Sequence, residues 1–155
     1  MPQIVKGGKY VFGWCVVGRK GDLPIPPEAM ERYELPPDGE VIVFPGSKTS
    51  GGVGLSTPET LRGSNIYRLI EEVPDFRYLR LPEGAIVLLN NKEFCWTWMK
   101  RSGRIRLPLK TWKVYGIGAG DRLLCVRGSR YALGFVARGM IHSEALRHLE
   151  IETFK

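Results

Sequence analysis

The chain has 155 residues, 43% hydrophobic and 25% charged, which suffices for one domain or two small ones with a core that needs no covalent staples. No apolar run approaches the roughly 18 residues a membrane helix needs, and the start, MPQIVKGGKY, has no apolar leader, so a soluble, cytoplasmic protein is expected. The net charge of +7 is unevenly placed: residues 1–60 hold six basic and seven acidic side chains, residues 61–90 four of each, and residues 91–155 thirteen basic against five acidic.

In chain order, residues 12–17 read as a strand, and Arg19-Lys20-Gly21 as a turn in which glycine supplies a positive φ. Leu23 and Ile25 then alternate toward one side, and Pro26 ends that strand and suits the first turn of a helix over 27–33. Pro36-Pro37-Asp38-Gly39 is a strong turn signal, followed by an apolar strand at 41–44, a tight turn at Gly46-Ser47 and a last strand near 52–55. Residues 64–72 predict a short helix capped by Ser64 or Asn65 and stopped by Pro74. Residues 76–81 and 85–89 predict strands around Pro82-Glu83-Gly84, and Asn90-Asn91 a further turn. The order then begins again: strand 94–99, turn Arg101-Ser102-Gly103, Ile105 and Leu107 alternating, Pro108, helix 109–115, turn Gly118-Ala119-Gly120-Asp121, strand 123–126, Gly128-Ser129 and strand 132–137. A helix over 143–149 with Ser143 as cap and a strand over 150–154 complete the chain.

The recurrence is a duplication. A gapless shift of 82 residues pairs Phe12 with Phe94, Trp14 with Trp96, Arg19 with Arg101, Gly21 with Gly103, Pro26 with Pro108 and Tyr33 with Tyr115, and further along Gly46, Ser47 and Gly52 with Gly128, Ser129 and Gly134. Residues 1–57 form repeat one, 58–91 a connector, and 92–155 repeat two with a terminal helix and strand. One repeat alone has too little core to stand, so the two are expected to share one structural domain of mainly β, α+β class.

The run Gly103-Arg104-Ile105-Arg106-Leu107-Pro108, with Tyr115-Gly116-Ile117 and Gly120-Asp121 after it, resembles the AbrB/SpoVT/MazE family of transition-state regulators and antitoxins. Gly21-Asp22-Leu23-Pro24-Ile25-Pro26 looks like a degraded version of it. The resemblance covers roughly residues 10–57 and 92–138 and implies a swapped-hairpin β-barrel, here formed within one chain as a pseudo-dimer of the two repeats. MraZ proteins are also tandem, but their aspartate–arginine signature is missing from repeat one. The resemblance further implies binding to double-stranded DNA through basic residues at the GR turn and the adjacent helix. Residue by residue, only Arg104 and Lys113 match that pattern; the corresponding places elsewhere hold Asp22, Met30, Glu31, Trp112, Cys15 and Thr97.

From the residues themselves, the basic third of the chain points to an anionic partner, nucleic acid being the commonest, or to a solvated surface that serves solubility. The candidate DNA-binding residues are Arg101, Arg104, Arg106, Lys110 and Lys113, then Arg127 and Arg130 at the other hairpin, with Arg19 and Lys20 from repeat one. Arg104 and Arg106 alternate with Ile105 and Leu107 and should face outward, where guanidinium groups suit phosphates and guanine edges. Trp96, Trp98 and Trp112 suit either base stacking or core, and the Trp14–Trp96 match favours core for that pair.

Gly46-Ser47-Lys48-Thr49-Ser50-Gly51-Gly52 has the look of a phosphate cradle, but its spacing departs from GxxxxGK[ST] and a strand is expected after it. Cys15, Cys95 and Cys125, with His142 and His148, give no disulfide or metal spacing, and no catalytic constellation is visible. The expectation is a non-enzymatic DNA-binding regulator without metal or cofactor, in which two chains could pair further. The alternative is a protein- or small-ligand-binding module on the same scaffold.

Overall fold

The computed structural model describes residue 4 and residues 8–155. Repeat one contributes β1 (Val11–Val16), β2 (Asp22–Pro24), α1 (Pro27–Arg32), β3 (Glu40–Pro45) and β4 (Val53–Ser56). The connector holds α2 (Pro58–Leu61), α3 (Ile66–Glu71), α4 (Pro74–Arg77) and β5 (Val87–Leu89). Repeat two contributes β6 (Lys92–Trp98), β7 (Arg104–Arg106), α5 (Leu109–Val114), β8 (Arg122–Arg127) and β9 (Leu133–Val136), followed by α6 (Met140–Ala145) and β10 (Thr153–Phe154). The class is mixed α+β, with many strands and short helices.

The eight-stranded sheet has the order β10-β1-β8-β9-β4-β3-β6-β5, and β2 and β7 form a separate ribbon. The pairing is reciprocal. β1 lies antiparallel to β8 with Trp14 opposite Leu124, and β6 lies antiparallel to β3 with Trp96 opposite Ile42, the same pair 82 residues along. Each repeat's first strand therefore pairs with the other repeat's third strand. In the ribbon, Leu23 faces Ile105, and these two are also equivalent positions, so a local two-fold passes between them. The sheet ends at β10 and β5 without pairing back on itself. The closed barrel expected from the family resemblance is thus not found; the connector and the C-terminal segment each add a strand at one edge.

Alternation along the strands sorts side chains to two faces. Val41, Val43, Leu55, Leu123, Cys125 and Phe135 face a central core that also takes Leu23, Ile105, Met99 and Trp112, so residues of both repeats fill it. On the other face, Ile42, Phe44 and Phe94 are covered by Leu61, Ile70 and Phe76 of the three connector helices. Val11, Trp14, Leu124 and Val126 are covered by Ala145 and Ile151. The segment following each repeat is therefore a cover for one half of the sheet. Trp14 packs edge-to-face on His142, with ring centroids 5.0 Å apart. Trp96 donates its indole N–H to the Leu81 carbonyl at 2.8 Å.

The gapless offset fails at one place. The loop between β3 and β4 has seven residues, 46–52, and that between β8 and β9 has five, 128–132. Gly134 consequently corresponds to Gly54 rather than Gly52: the two glycines face each other across β4 and β9, and each lies opposite the matching residue, Phe44 or Val126, of its own hairpin. A Cβ on Gly54 would stand 2.5 Å from the Phe44 ring, which accounts for glycine there.

Two other expectations are corrected. Residues 76–81 form no strand: Pro74 opens α4 instead of merely stopping α3, and Phe76 drops into the core against Phe94. The last helix begins three residues early, after Gly139 at φ 100°, so Ser143 lies inside it and is no cap. Asn90 and Asn91 both take positive φ, as a two-residue hairpin between β5 and β6 requires. No helix among the described residues is long and apolar enough to cross a membrane.

Gly21 and Gly103 occupy equivalent turns with φ of 87° and 78°, but their surroundings differ. A Cβ on Gly21 would fall 2.0 Å from the Leu107 carbonyl oxygen, whereas on Gly103 its nearest neighbour is the Met30 sulfur at 3.1 Å. Gly21→Ala is expected to cost about 3 kcal/mol or more, and Gly103→Ala only the backbone penalty of about 1–2 kcal/mol. Urea unfolding of the two variants checks the order.

Candidate nucleic-acid interface

The ribbon is where the charge pattern and the fold meet. Leu23 and Ile105 are fully buried beneath it, so Asp22, Arg104 and Arg106, on either side of them, point away from the core, while Pro24 is itself buried. Asp22 stands directly opposite Arg106, and Pro24 opposite Arg104. The Arg106 guanidinium grips the Asp22 carboxylate through Nε at 2.6 Å and Nη2 at 3.3 Å, a bidentate fork that fixes both side chains. The hydrogen bond from Arg106 holds the Asp22 carboxyl below its ordinary value against the opposing effect of burial, and the charges of Arg106, Lys100 and Arg104 lower it further. Asp22 in turn raises Arg106 above its ordinary value. Arg104 donates from Nη2 to the Lys155 carbonyl oxygen.

The two turns beside the ribbon add the rest. Arg19 and Lys20 are exposed in the turn after β1, and Lys100 and Arg101 in the turn after β6. Lys20, Lys100 and Arg106 line a hollow of about 360 Å³ together with Glu83. Glu83 is itself committed, accepting from the Thr97 hydroxyl at 2.6 Å and the Trp98 backbone N–H at 2.9 Å. Arg101 pairs with Asp38 at 2.6 Å. The surface thus gathers six cations, Arg19, Lys20, Lys100, Arg101, Arg104 and Arg106, against three carboxylates, Asp22, Asp38 and Glu83. Trp98 is 42% exposed on β6, edge-to-face with Trp96 at 6.3 Å. Trp112 is wholly buried and donates its indole N–H to the Gly21 carbonyl at 2.8 Å. It serves as the latch between α5 and the β1–β2 turn and has no face free for stacking.

The remaining candidates lie elsewhere. Lys110 and Lys113 are exposed on α5, whose Thr111 and Trp112 are buried, and neither lines the hollow beside the ribbon. Arg127 and Arg130, at the β8–β9 hairpin, line a different hollow with Lys9 and Arg32. Sequence reasoning overlooked Lys100 and Glu83. Lys100 adjoins Arg101 in the same turn and was within reach of the pattern; Glu83 joins only through the fold.

Gly46 to Gly52 forms the β3–β4 hairpin loop, closed by the Ser50 N–H donating to the Ser47 hydroxyl at 3.1 Å and by Arg138 donating to the Lys48 carbonyl at 2.7 Å. It leads into a strand, so no helix start is there to complete a phosphate cradle. The three thiols are buried, and burial pushes Cys95 up to about 11 although its contact with the Tyr115 hydroxyl opposes this; a thiol so placed stays protonated at neutral pH. Among the described residues no three His, Cys, Asp or Glu side chains are gathered as for a metal ion.

Comparison with known proteins, by protein-family models and by curated sequences, returns no match to this chain.

Asp22 provides a pH test of the ribbon. Its folded value lies below 3.8, so its contribution to stability is present above that pH and is lost as pH falls through the lowered folded value. The difference in urea midpoint between the wild type and Asp22→Asn is expected to be constant from neutrality to about pH 4.5 and to shrink toward pH 2–3.

Proposed function

We propose that this protein is a non-catalytic DNA-binding regulator of the AbrB/SpoVT type, contacting double-stranded DNA with the β2–β7 ribbon and its two flanking turns. The observation that carries the reading is the ribbon itself: the cross-pairing of the repeats puts Lys20, Lys100, Arg104 and Arg106 on one outward surface at a local two-fold. The finer fold reading goes with it. Six strands, β1-β8-β9-β4-β3-β6, with the ribbon, are the two interlocked halves of a swapped-hairpin pseudo-dimer, and β5 and β10 are additions at its edges. The GR-apolar-x-apolar-P run supports this, because Gly103 makes the turn and Arg104 to Arg106 make β7.

The contact surface is one-sided. Where repeat two has Arg104 and Arg106, repeat one has Asp22 and Pro24. A palindromic operator read equally by two halves does not fit this arrangement. The Asp22–Arg106 and Arg101–Asp38 pairs also mean that phosphates must compete with built-in carboxylates for two of the guanidinium groups, and this favours weak, salt-sensitive binding. The same pairs support a second reading, in which the scaffold has lost DNA and binds a protein or small ligand.

Fluorescence anisotropy with a random duplex separates the two. With about four phosphates neutralised, the slope of log K against log salt is expected near −3.6. Arg104→Ala with Arg106→Ala should weaken binding at least tenfold, and Asp22→Asn should strengthen it several-fold by freeing Arg106. A wild type that does not bind at about 50 mM salt would sink the regulator reading.

A further inference from the structure

A second basic site stands apart from the ribbon. The β8–β9 hairpin, the last turn of α1 and the entry to β1 enclose a hollow of about 500 Å³ whose charged lining is Lys9, Arg32, Arg127 and Arg130, with no carboxylate among the lining residues. It shares no residue with the hollow beside the ribbon. Its rim is pinned in three places. The Arg127 backbone N–H donates to the Tyr10 carbonyl at 2.9 Å, the Tyr33 hydroxyl donates to the Ser129 carbonyl at 2.6 Å, and the Lys9 ammonium donates to the Gly128 carbonyl.

The cations are held but not neutralised. The Arg32 guanidinium lies 5.1 Å from the Tyr10 ring centroid, and that of Arg130 4.9 Å from Tyr131. Stacking of this kind fixes the plane while leaving N–H edges for another partner. Glu28, one turn before Arg32 on α1, accepts from the Tyr10 hydroxyl at 2.7 Å and makes no ion pair with the cluster. Among the described residues none of the four cations has a carboxylate oxygen within 4.0 Å. Four like charges around one opening repel one another, and a bound anion would relieve that cost.

Nor does the duplication require the cluster. Where repeat two has Arg127, repeat one has Pro45; where repeat one has Arg32, repeat two has Val114. The cations come from both repeats and converge at one end only.

We propose that this hollow binds the phosphoryl group of a small phosphorylated molecule, with Arg32, Arg127 and Arg130 as its principal contacts. Planar guanidinium forks match the several oxygens of a phosphoryl dianion, and the volume, within the range of small-molecule sites, has room for a body the size of a mononucleotide or sugar phosphate. The site stands independently of the DNA reading, because its lining and the ribbon's are disjoint.

Isothermal titration calorimetry of the full chain with inorganic pyrophosphate, at ionic strength held constant with chloride, tests it. Saturable binding of one ion per chain is expected. The affinity should fall at least tenfold in Arg127→Ala/Arg130→Ala and in Arg32→Gln, and change less than twofold in Arg104→Ala/Arg106→Ala. Circular dichroism melts confirm that the variants, at exposed positions apart from the half-buried Arg104, remain folded. Parallel titrations with adenosine monophosphate and glucose 6-phosphate tell a nucleotide from a sugar phosphate, and either binding more tightly than pyrophosphate supports the site. Lack of saturable heat with all three, or equal affinity in wild type and the Arg127/Arg130 variant, overturns it. So does loss of duplex binding in that variant when wild type takes no small phosphate, since the hollow would then be a contact for DNA.

Discussion

Neither repeat can cover its own strands. β1 and β3 of repeat one do not pair with each other; each finds its partner in repeat two, as β6 and β8 find theirs in repeat one. The reciprocal exchange fixes the register of four strands at once, because the Trp14–Leu124 and Ile42–Trp96 pairs must be satisfied together. It also places Leu23 against Ile105 under the ribbon, with Met99 and Trp112 in the same core. The separation in sequence of these partners makes the core a joint product of the two halves. The ribbon's outward charges depend on it, since β2 and β7 have only each other to pair with.

Much of this was legible in the residues, for identifiable reasons. Tryptophan, glycine and proline are demanding, and their recurrence at one spacing exposed the duplication together with the turns at Gly21 and Gly103. The outward direction of Arg104 and Arg106 followed from simple alternation with Ile105 and Leu107 and agrees with the burial of Ile105 and Leu107. What stayed hidden was set by longer-range geometry. The Gly52–Gly134 match was a coincidence of identity; the shorter second hairpin moves the true partner to Gly54, and only cross-strand pairing reveals it. Pro74 is compatible with ending one helix or opening another, and the Phe76 pocket decides between them. That Asp22 answers Arg106, and that Lys9 and Arg32 meet Arg127 and Arg130, could not be seen without knowing which strands lie side by side.

The two halves have diverged in charge more than in backbone. Equivalent positions carry Asp22 and Arg104, Pro24 and Arg106, Glu31 and Lys113. A surface built on a two-fold thereby has a basic side and a side that answers it, and the Asp22–Arg106 pair spans the boundary. Divergence extends to Gly13, where a bulge in β1 lets Phe154 approach; a Cβ there would stand 2.7 Å from its ring. Its equivalent, Cys95, has no such neighbour to admit, and the strand added at that edge, β5, is antiparallel where β10 is parallel.

The crossing of strands between the repeats has a consequence for how the polypeptide is made. When residues 1–57 leave the ribosome, β4 is there to pair with β3, but the repeat-two partners β8 of β1 and β6 of β3 have yet to be translated, and β8 ends at Arg127. At ordinary elongation speeds the interval is about 4–14 s. Throughout it Val11 to Val16 wait without either native neighbour, and Glu40 to Pro45 have β4 on one edge and the other edge open, so the nascent chain depends on remaining soluble while its first half is incomplete.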